Sequence, residues 1–170
     1  MIRALFISLA LTSSGLVLSG CGFTPVHQST ANGSLLQDIN VQVEKGDNVA
    51  DNQAGFLLTQ RLRDRMGDGG VAPRYRLEIE PDYSRRRLGI TDQDVASRYD
   101  ITVKAKYRLY DAKSGDQVAR GDVSSISTFG APIGPYGVIT ADNVGIEQAS
   151  RETADKVIRD LARFFANQDG

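Results

Sequence analysis

The feature that most constrains the fold is a run of strict alternation between residues 98 and 109. Six apolar positions (Tyr99, Ile101, Val103, Ala105, Tyr107 and Leu109) alternate with six polar ones (Arg98, Asp100, Thr102, Lys104, Lys106 and Arg108). Because successive side chains of a strand point to opposite faces, this pattern predicts a strand with one buried and one solvated face. Such a sheet needs a covering layer on its apolar side only.

Weaker patterns predict the remaining elements. Ile39, Val41 and Val43 alternate with polar residues and predict a first strand, and Tyr75–Ile79 predicts a second. Residues 117–129 predict a last strand, whose less regular alternation suggests a bulge. Two runs have helical spacing: one is capped by Asp51 and ends at Gly67, and the other begins at about Ala141. Their apolar positions are Ala54, Leu57, Leu58, Leu62 and Met66, and Ala154, Val157, Ile158, Leu161, Ala162 and Phe165.

These elements predict an α+β domain in β-α-β-β-β-α order. The first strand reaches the sheet through a helical crossover and should lie parallel to its neighbour, while the last three should form an antiparallel meander. We therefore expect a four-stranded mixed sheet with two helices packed on one face. Between these elements we interpret residues 81–96 as a connection, residues 111–116 as a hairpin turn and residues 130–137 as an irregular link.

The amino terminus is typical of an exported lipoprotein. Met1-Ile2-Arg3 carries one positive charge, and residues 4–17 form an apolar stretch that is shorter than the roughly 20 residues of a membrane-spanning helix. Leu18-Ser19-Gly20-Cys21 follows and resembles a lipobox; Cys21 is the only cysteine. We predict a signal peptide at 1–20, a lipidated tether at 21–37 and one domain at 38–170. The alternative is that Cys21 is an ordinary core thiol beside a plain secretory signal.

Lipid on Cys21 would attach the domain to a membrane, since two or more acyl chains anchor a protein stably and one does not. Gly22 follows the cysteine. Lipoproteins retained in the inner membrane commonly have Asp there, so the resemblance indicates the outer membrane.

The sequence does not predict an active site. His27 is the only histidine and lies in the expected tether, so the common histidine-dependent triads and metal sites are unavailable. Asp92 and Asp94 could be imagined as a carboxylate pair, but such spacing is frequent in turns. Gly67–Gly70 follows a helix and is too short for a phosphate loop. We expect no enzyme activity, and no cofactor other than the covalent lipid.

The charge of the chain is uneven. The net charge is -1, which gives no reason to expect nucleic-acid binding. Residues 61–108, however, contain twelve Lys or Arg against eight Asp or Glu. These cations are either solvated faces of the sheet or an anion site, since Arg binds phosphate and carboxylate in a bidentate manner.

As a whole, the chain resembles the LptE family of lipopolysaccharide-assembly lipoproteins. The resemblance starts at Leu18-Ser-Gly-Cys-Gly-Phe-Thr-Pro25, because members commonly carry Cys-Gly-Phe or Cys-Gly-Trp at the lipidation site. It continues through the first strand, the helix from Asp51, the strand at 99–110 and the final helix with Arg151. Members often have Leu-Tyr after this proline, whereas this chain has Val26-His27.

The resemblance implies a non-catalytic protein that plugs an LptD β-barrel in the outer membrane, helps it assemble and helps deliver lipopolysaccharide to the outer leaflet. The domain would lie on the periplasmic side or within the barrel lumen. Lipopolysaccharide carries phosphates and carboxylates, and the candidate residues for binding it are Arg85, Arg86, Arg87, Lys104, Lys106 and Arg108. The same cations could instead serve only solubility and barrel contacts. The open alternatives are an accessory lipoprotein of another barrel or transporter, a non-catalytic envelope scaffold and an envelope enzyme with an unfamiliar site.

Overall fold

The computed structural model describes residues 35–90, 96–131 and 134–168. The predicted signal peptide, Cys21, His27, Asp92 and Asp94 lie outside these ranges. The elements confirm the predicted β-α-β-β-β-α order: β1 (Ile39–Val43), α1 (Val49–Met66), β2 (Tyr75–Ile90), β3 (Ala96–Asp111), β4 (Gln117–Gly130) and α2 (Pro135–Ala166).

The four strands form one mixed sheet in the order β1-β2-β3-β4. β1 pairs in parallel with β2, with Val41 opposite Leu77. β2, β3 and β4 pair antiparallel, as the short connections predict. The predicted bulge lies at the start of β4, where Leu109 faces Ala119 but Tyr110 faces Gln117, so that Val118 is the extra residue.

Both helices cover the same face of the sheet, as predicted. Five alternating apolar residues of β3, from Ile101 to Leu109, are buried there with most of the apolar stripes of α1 and α2. Each fully buried aliphatic side chain contributes about 1.5–3 kcal/mol. Two polar contacts fix the positions of the helices. Arg61 of α1 donates two hydrogen bonds of 3.0 Å to the Asp155 carboxylate of α2, and the Thr153 hydroxyl donates to the Val103 carbonyl at 3.0 Å.

The start of α1 differs from the prediction. The N-cap is Asn48, whose side-chain oxygen accepts a hydrogen bond from the Asp51 N–H at 2.9 Å. Asp51 is the third residue of the helix, and its carboxylate accepts from the Asn48 N–H at 3.3 Å. Asn48 is a good N-cap by residue type. The prediction of Asp51 as the N-cap is wrong, and it followed from the position of Asp51 closer to the apolar stripe.

Two regions expected to be irregular belong to regular elements. β2 does not end at Glu80 but continues to Ile90, because its residues from Pro81 to Leu88 pair with β3. α2 begins at Pro135, about two turns before Ala141. Proline is tolerated in the first turn of a helix because the N–H groups there have no acceptor within the helix. Residues 81–90 of the predicted connection are therefore strand, and residues 135–137 of the predicted link are helix.

Candidate functional site

The helix-free side of the sheet, called here the open face, carries a column of paired charges. Lys104, Lys106 and Arg108 project from alternate positions of β3 and lie directly opposite Asp82, Glu80 and Glu78 of β2. The Lys104 Nζ to Asp82 Oδ2 distance is 3.7 Å, Lys106 Nζ to Glu80 Oε1 is 3.3 Å and Arg108 Nε to Glu78 Oε2 is 3.8 Å. All six side chains are partly exposed, so the column stabilises the fold only weakly.

Arg108 has a second acidic partner. Its guanidinium also forms an ion pair with Glu44, which follows β1. The negative charge of Glu44, more than that of Glu78, raises the pKa of Arg108. An anion that binds this column must therefore compete with carboxylates already in place.

The arginine triplet of β2 is divided between the two faces of the sheet, since it lies in a strand. Arg86 points to the open face, whereas Arg85 and Arg87 point to the helix side, where they face Ile101 and Tyr99. Sequence reasoning grouped the three residues because it interpreted this segment as a connection.

Arg85 is held against the fold. Its Nε lies 3.6 Å from the Asp142 carboxylate of α2, and its guanidinium lies 4.3 Å from the centre of the Tyr99 ring. The Tyr83 hydroxyl contacts the same carboxylate at 3.4 Å. Burial, and then the charge of Asp142, raise the pKa of Tyr83 to about 12, although Arg85 opposes this shift. Arg85 therefore helps to fix α2 on the sheet.

Three exposed arginines at the far end of the β2–β3 hairpin have no ion pair within the described ranges. They are Arg86, Arg87 and Arg98, called here the hairpin end. The nearest acidic residue in the register is Asp100, opposite Arg86, and its carboxylate accepts a hydrogen bond of 2.6 Å from the Thr128 hydroxyl. Arg98 was not among the predicted site residues, although its position in the alternating strand was recognised.

An apolar groove opens on the helix side of the sheet, the side of Arg87, between β4 and the first turns of α2. Its volume is about 510 Å³. Tyr136 and Val144 of α2 line it and are 85% and 56% exposed. Helix and strand approach closely behind it, because Gly145 faces Ile101 and a Cβ at Gly145 would lie 2.7 Å from the Ile101 Cδ1. Sequence reasoning missed the groove because it placed the start of α2 two turns too late; Pro135 was the available signal.

Among the residues that the structure describes, no group of His, Cys, Asp and Glu side chains is arranged to hold a metal ion. No helix in the same ranges has the length and apolar character needed to cross a membrane.

Comparison with known families and structures gives a consistent result. The sequence matches the family model LptE, described as lipopolysaccharide-assembly, over residues 36–168. No curated protein matches the chain.

Three solved structures illustrate the likeness in fold. A structure from Caulobacter crescentus CB15, described as a lipoprotein, is 27% identical with a TM-score of 0.65, covering 82% of this chain and 98% of that one. Rare lipoprotein B from Shewanella oneidensis is 10% identical with a TM-score of 0.58, covering 78% and 98%. Lipoprotein B from Nitrosomonas europaea is 10% identical with a TM-score of 0.56, covering 75% and 83%. At 10% identity the last two establish the fold alone.

Proposed function

The chain belongs to the LptE family of lipopolysaccharide-assembly proteins, and we propose that it is an outer-membrane lipoprotein, anchored through lipid on Cys21, that plugs an LptD-type β-barrel. In this role it assists assembly of the barrel and helps deliver lipopolysaccharide to the outer leaflet, without catalysis. The observation that carries the proposal is the family match, which spans every helix and strand of the described fold.

The polarity of the open face supports the proposal that the domain lies inside a barrel. Barrel lumens are polar, so a domain that fills one needs polar surface and not a large apolar patch. The column of Lys104, Lys106 and Arg108 with its facing carboxylates supplies such a surface, with charges of both signs. Contacts made by this face should be polar and sensitive to salt.

The six predicted cations remain candidates for binding the phosphates and carboxylates of lipopolysaccharide. The six differ in their ion pairs. Acidic partners are present for Arg85, Lys104, Lys106 and Arg108. In the described part of the chain, Arg86 and Arg87 have no ion pair. An arginine without a carboxylate can offer its whole fork of donors to a phosphate. We therefore propose Arg86 and Arg87 as the strongest head-group contacts of the six.

The barrel partnership is tested in cells that make this protein. A tagged copy should co-purify with one large outer-membrane barrel protein, and depletion should leave that barrel misassembled and lower lipopolysaccharide at the cell surface. Recovery of a different barrel or transporter would favour the accessory-lipoprotein alternative. Normal surface lipopolysaccharide after depletion would contradict the proposed function.

The head-group contacts are tested by charge reversal. The double variant Arg86→Glu and Arg87→Glu should bind lipopolysaccharide at least about tenfold more weakly at low ionic strength, since each charge-assisted hydrogen bond contributes about 1.5–3 kcal/mol. The difference should shrink as salt is added. Lys113→Glu, an exposed cation in the turn at the opposite end of the sheet, is the matched control. Unchanged affinity at low salt would refute the assignment of these two arginines.

A further inference from the structure

We propose that the groove between β4 and α2 binds an acyl chain of lipopolysaccharide while Arg87, which projects on the same side of the sheet, binds one of its phosphates; this inference rests on the proposed function. The groove is an open, largely apolar depression of about 510 Å³, within the roughly 300–1,000 Å³ of small-ligand sites. Its lining residues include Phe129, Tyr136, Thr140, Ala141, Val144 and Gln148.

Four of the polar side chains that line the groove already have partners. The Ser127 hydroxyl donates to Gln148 Oε1 at 3.4 Å, and the Gln148 amide donates to Glu152 at 3.2 Å. The Thr140 hydroxyl donates to the Tyr136 carbonyl at 3.0 Å. The Thr128 hydroxyl is bound to Asp100, as described above. With these groups satisfied, the wall offers apolar contact and few new hydrogen bonds, so it favours a hydrocarbon occupant over a polar one.

The groove and Arg87 are connected by a row of aromatic side chains. Arg87, Tyr99 and Phe129 lie opposite one another on neighbouring strands, on the helix side of the sheet. The Tyr99 and Phe129 rings are stacked with centroids 5.5 Å apart, and Phe129 lines the groove. Neighbouring strands are about 4.8 Å apart, so the backbone of Arg87 lies only about 10 Å from that of Phe129. One molecule can therefore contact both.

An apolar slot beside an arginine that has no ion pair within the described ranges fits an anionic amphiphile. Arg87, which projects from the helix side, supplies the positive charge next to the groove, whereas Arg86 and Arg98 project from the open face. No carboxylate in the described ranges forms an ion pair with any of the three. Among anionic amphiphiles we commit to lipopolysaccharide, because the family acts in its assembly. Phospholipid, or an extended segment of a protein, would be a competing occupant and is separated by the following tests.

The first test is photo-crosslinking in the native cells. A photo-reactive amino acid is placed at position 144, in the groove, and as a control at position 56, an exposed apolar position of α1 outside the groove. We expect an adduct with lipopolysaccharide at position 144 and none at position 56. An adduct at position 144 with phospholipid or protein alone would overturn the choice of occupant.

The second test compares intact with chemically deacylated lipopolysaccharide, using the purified full-length protein. Val144→Gln should bind intact lipopolysaccharide about tenfold more weakly, because apolar contact with roughly two methylenes is lost. It should bind the deacylated form as the unsubstituted protein does, since the phosphates remain. Phe56→Gln, an exchange of the same kind at an exposed helix position, should change neither affinity.

The outcomes separate this inference from the proposed function. If Val144→Gln binds intact lipopolysaccharide normally while the charge reversal at Arg86 and Arg87 weakens it, the groove proposal is wrong and the proposed function stands. If the unsubstituted protein binds neither form, direct lipopolysaccharide binding fails and the groove proposal fails with it. Phosphatidylglycerol vesicles that suppress the crosslink at position 144 as effectively as lipopolysaccharide would also overturn the inference.

Discussion

Replacing Asp51 by alanine should be among the most damaging single changes near the start of α1. Asp51 is only 5% exposed, and its carboxylate joins two elements. One oxygen accepts a hydrogen bond from the Asn48 N–H at 3.3 Å, which completes the capping box of α1. The other accepts from the Tyr83 N–H at 2.9 Å, on the edge of β2 beyond the end of β1. Alanine at this position leaves both donors without an acceptor.

The expected cost follows from these contacts. A hydrogen bond to a charged group contributes about 1.5–3 kcal/mol, and the capping interaction about 1 kcal/mol. Because the variant no longer buries a carboxylate, part of this loss is offset. We expect the free energy of unfolding to fall by about 3 kcal/mol, which corresponds to a decrease in Tm of about 10 °C for a domain of this size.

Urea denaturation followed by circular dichroism measures the change, with the free energy extrapolated to water. Asp51→Asn keeps the acceptor for Tyr83 and should cost only about 1 kcal/mol, similar to Asn48→Ala. Asp64→Ala removes an exposed carboxylate from the same helix and should stay within about 0.5 kcal/mol of the unsubstituted protein. If Asp51→Ala costs less than about 1 kcal/mol, or no more than Asp51→Asn, the bridge from α1 to β2 does not stabilise the fold as argued.

Two further predictions concern the turn before β2 and the contact between β2 and α2. Gly69→Ala should lower the free energy of unfolding more than Gly70→Ala. Both residues have positive φ, but only at Gly69 would a Cβ lie 2.8 Å from the Asn40 backbone nitrogen. In urea titrations we expect a loss of at least about 2 kcal/mol for Gly69→Ala and about 1 kcal/mol for Gly70→Ala, and equal losses would contradict the steric argument. Burial raises the pKa of Tyr83 from 10.0 to about 12. The neutral phenol therefore stabilises the folded state fully below pH 10, and this stabilisation is lost as the pH rises through 12. In an ultraviolet absorbance titration, Tyr83→Phe should therefore remove one late-titrating phenol, and an unchanged titration above pH 10 would exclude a perturbed Tyr83.

The sequence predicted the elements whose pattern is local. The alternation of Tyr99 to Leu109 is unbroken, and the structure buries Ile101, Val103, Ala105, Tyr107 and Leu109 on one face. The helical stripes of α1 and α2 are buried as well, except that Leu57 and Ala162 are only partly buried. A crossover helix followed by short connections then left few arrangements of four strands, and the observed mixed sheet was the predicted one.

Local sequence patterns do not predict which distant residues pair in the sheet. Pro81 and the charged run after it do not look like a strand, but β3 supplies a partner for every residue from Pro81 to Leu88, so the strand continues. Pro81 is tolerated because β1 ends before it, so no strand of the described sheet needs the N–H that proline lacks. The same limit applies to the candidate site, since the acidic partners of Lys104, Lys106 and Arg108 are known only once the register is known.

The six predicted cations therefore do not form a single anion site. Lys104, Lys106 and Arg108 each lie within 4 Å of a carboxylate, and an exposed ion pair presents little net field beyond the screening length of about 8 Å at physiological salt. A phosphate that approaches the open face thus meets alternating charges, which suits contact with another polar surface better than capture of an anion. On the helix side, Arg87 has no such ion pair within the described ranges, and the apolar groove opens on the same side of the sheet. We therefore propose that the open face contacts the barrel wall and that Arg87 and the groove contact the lipid.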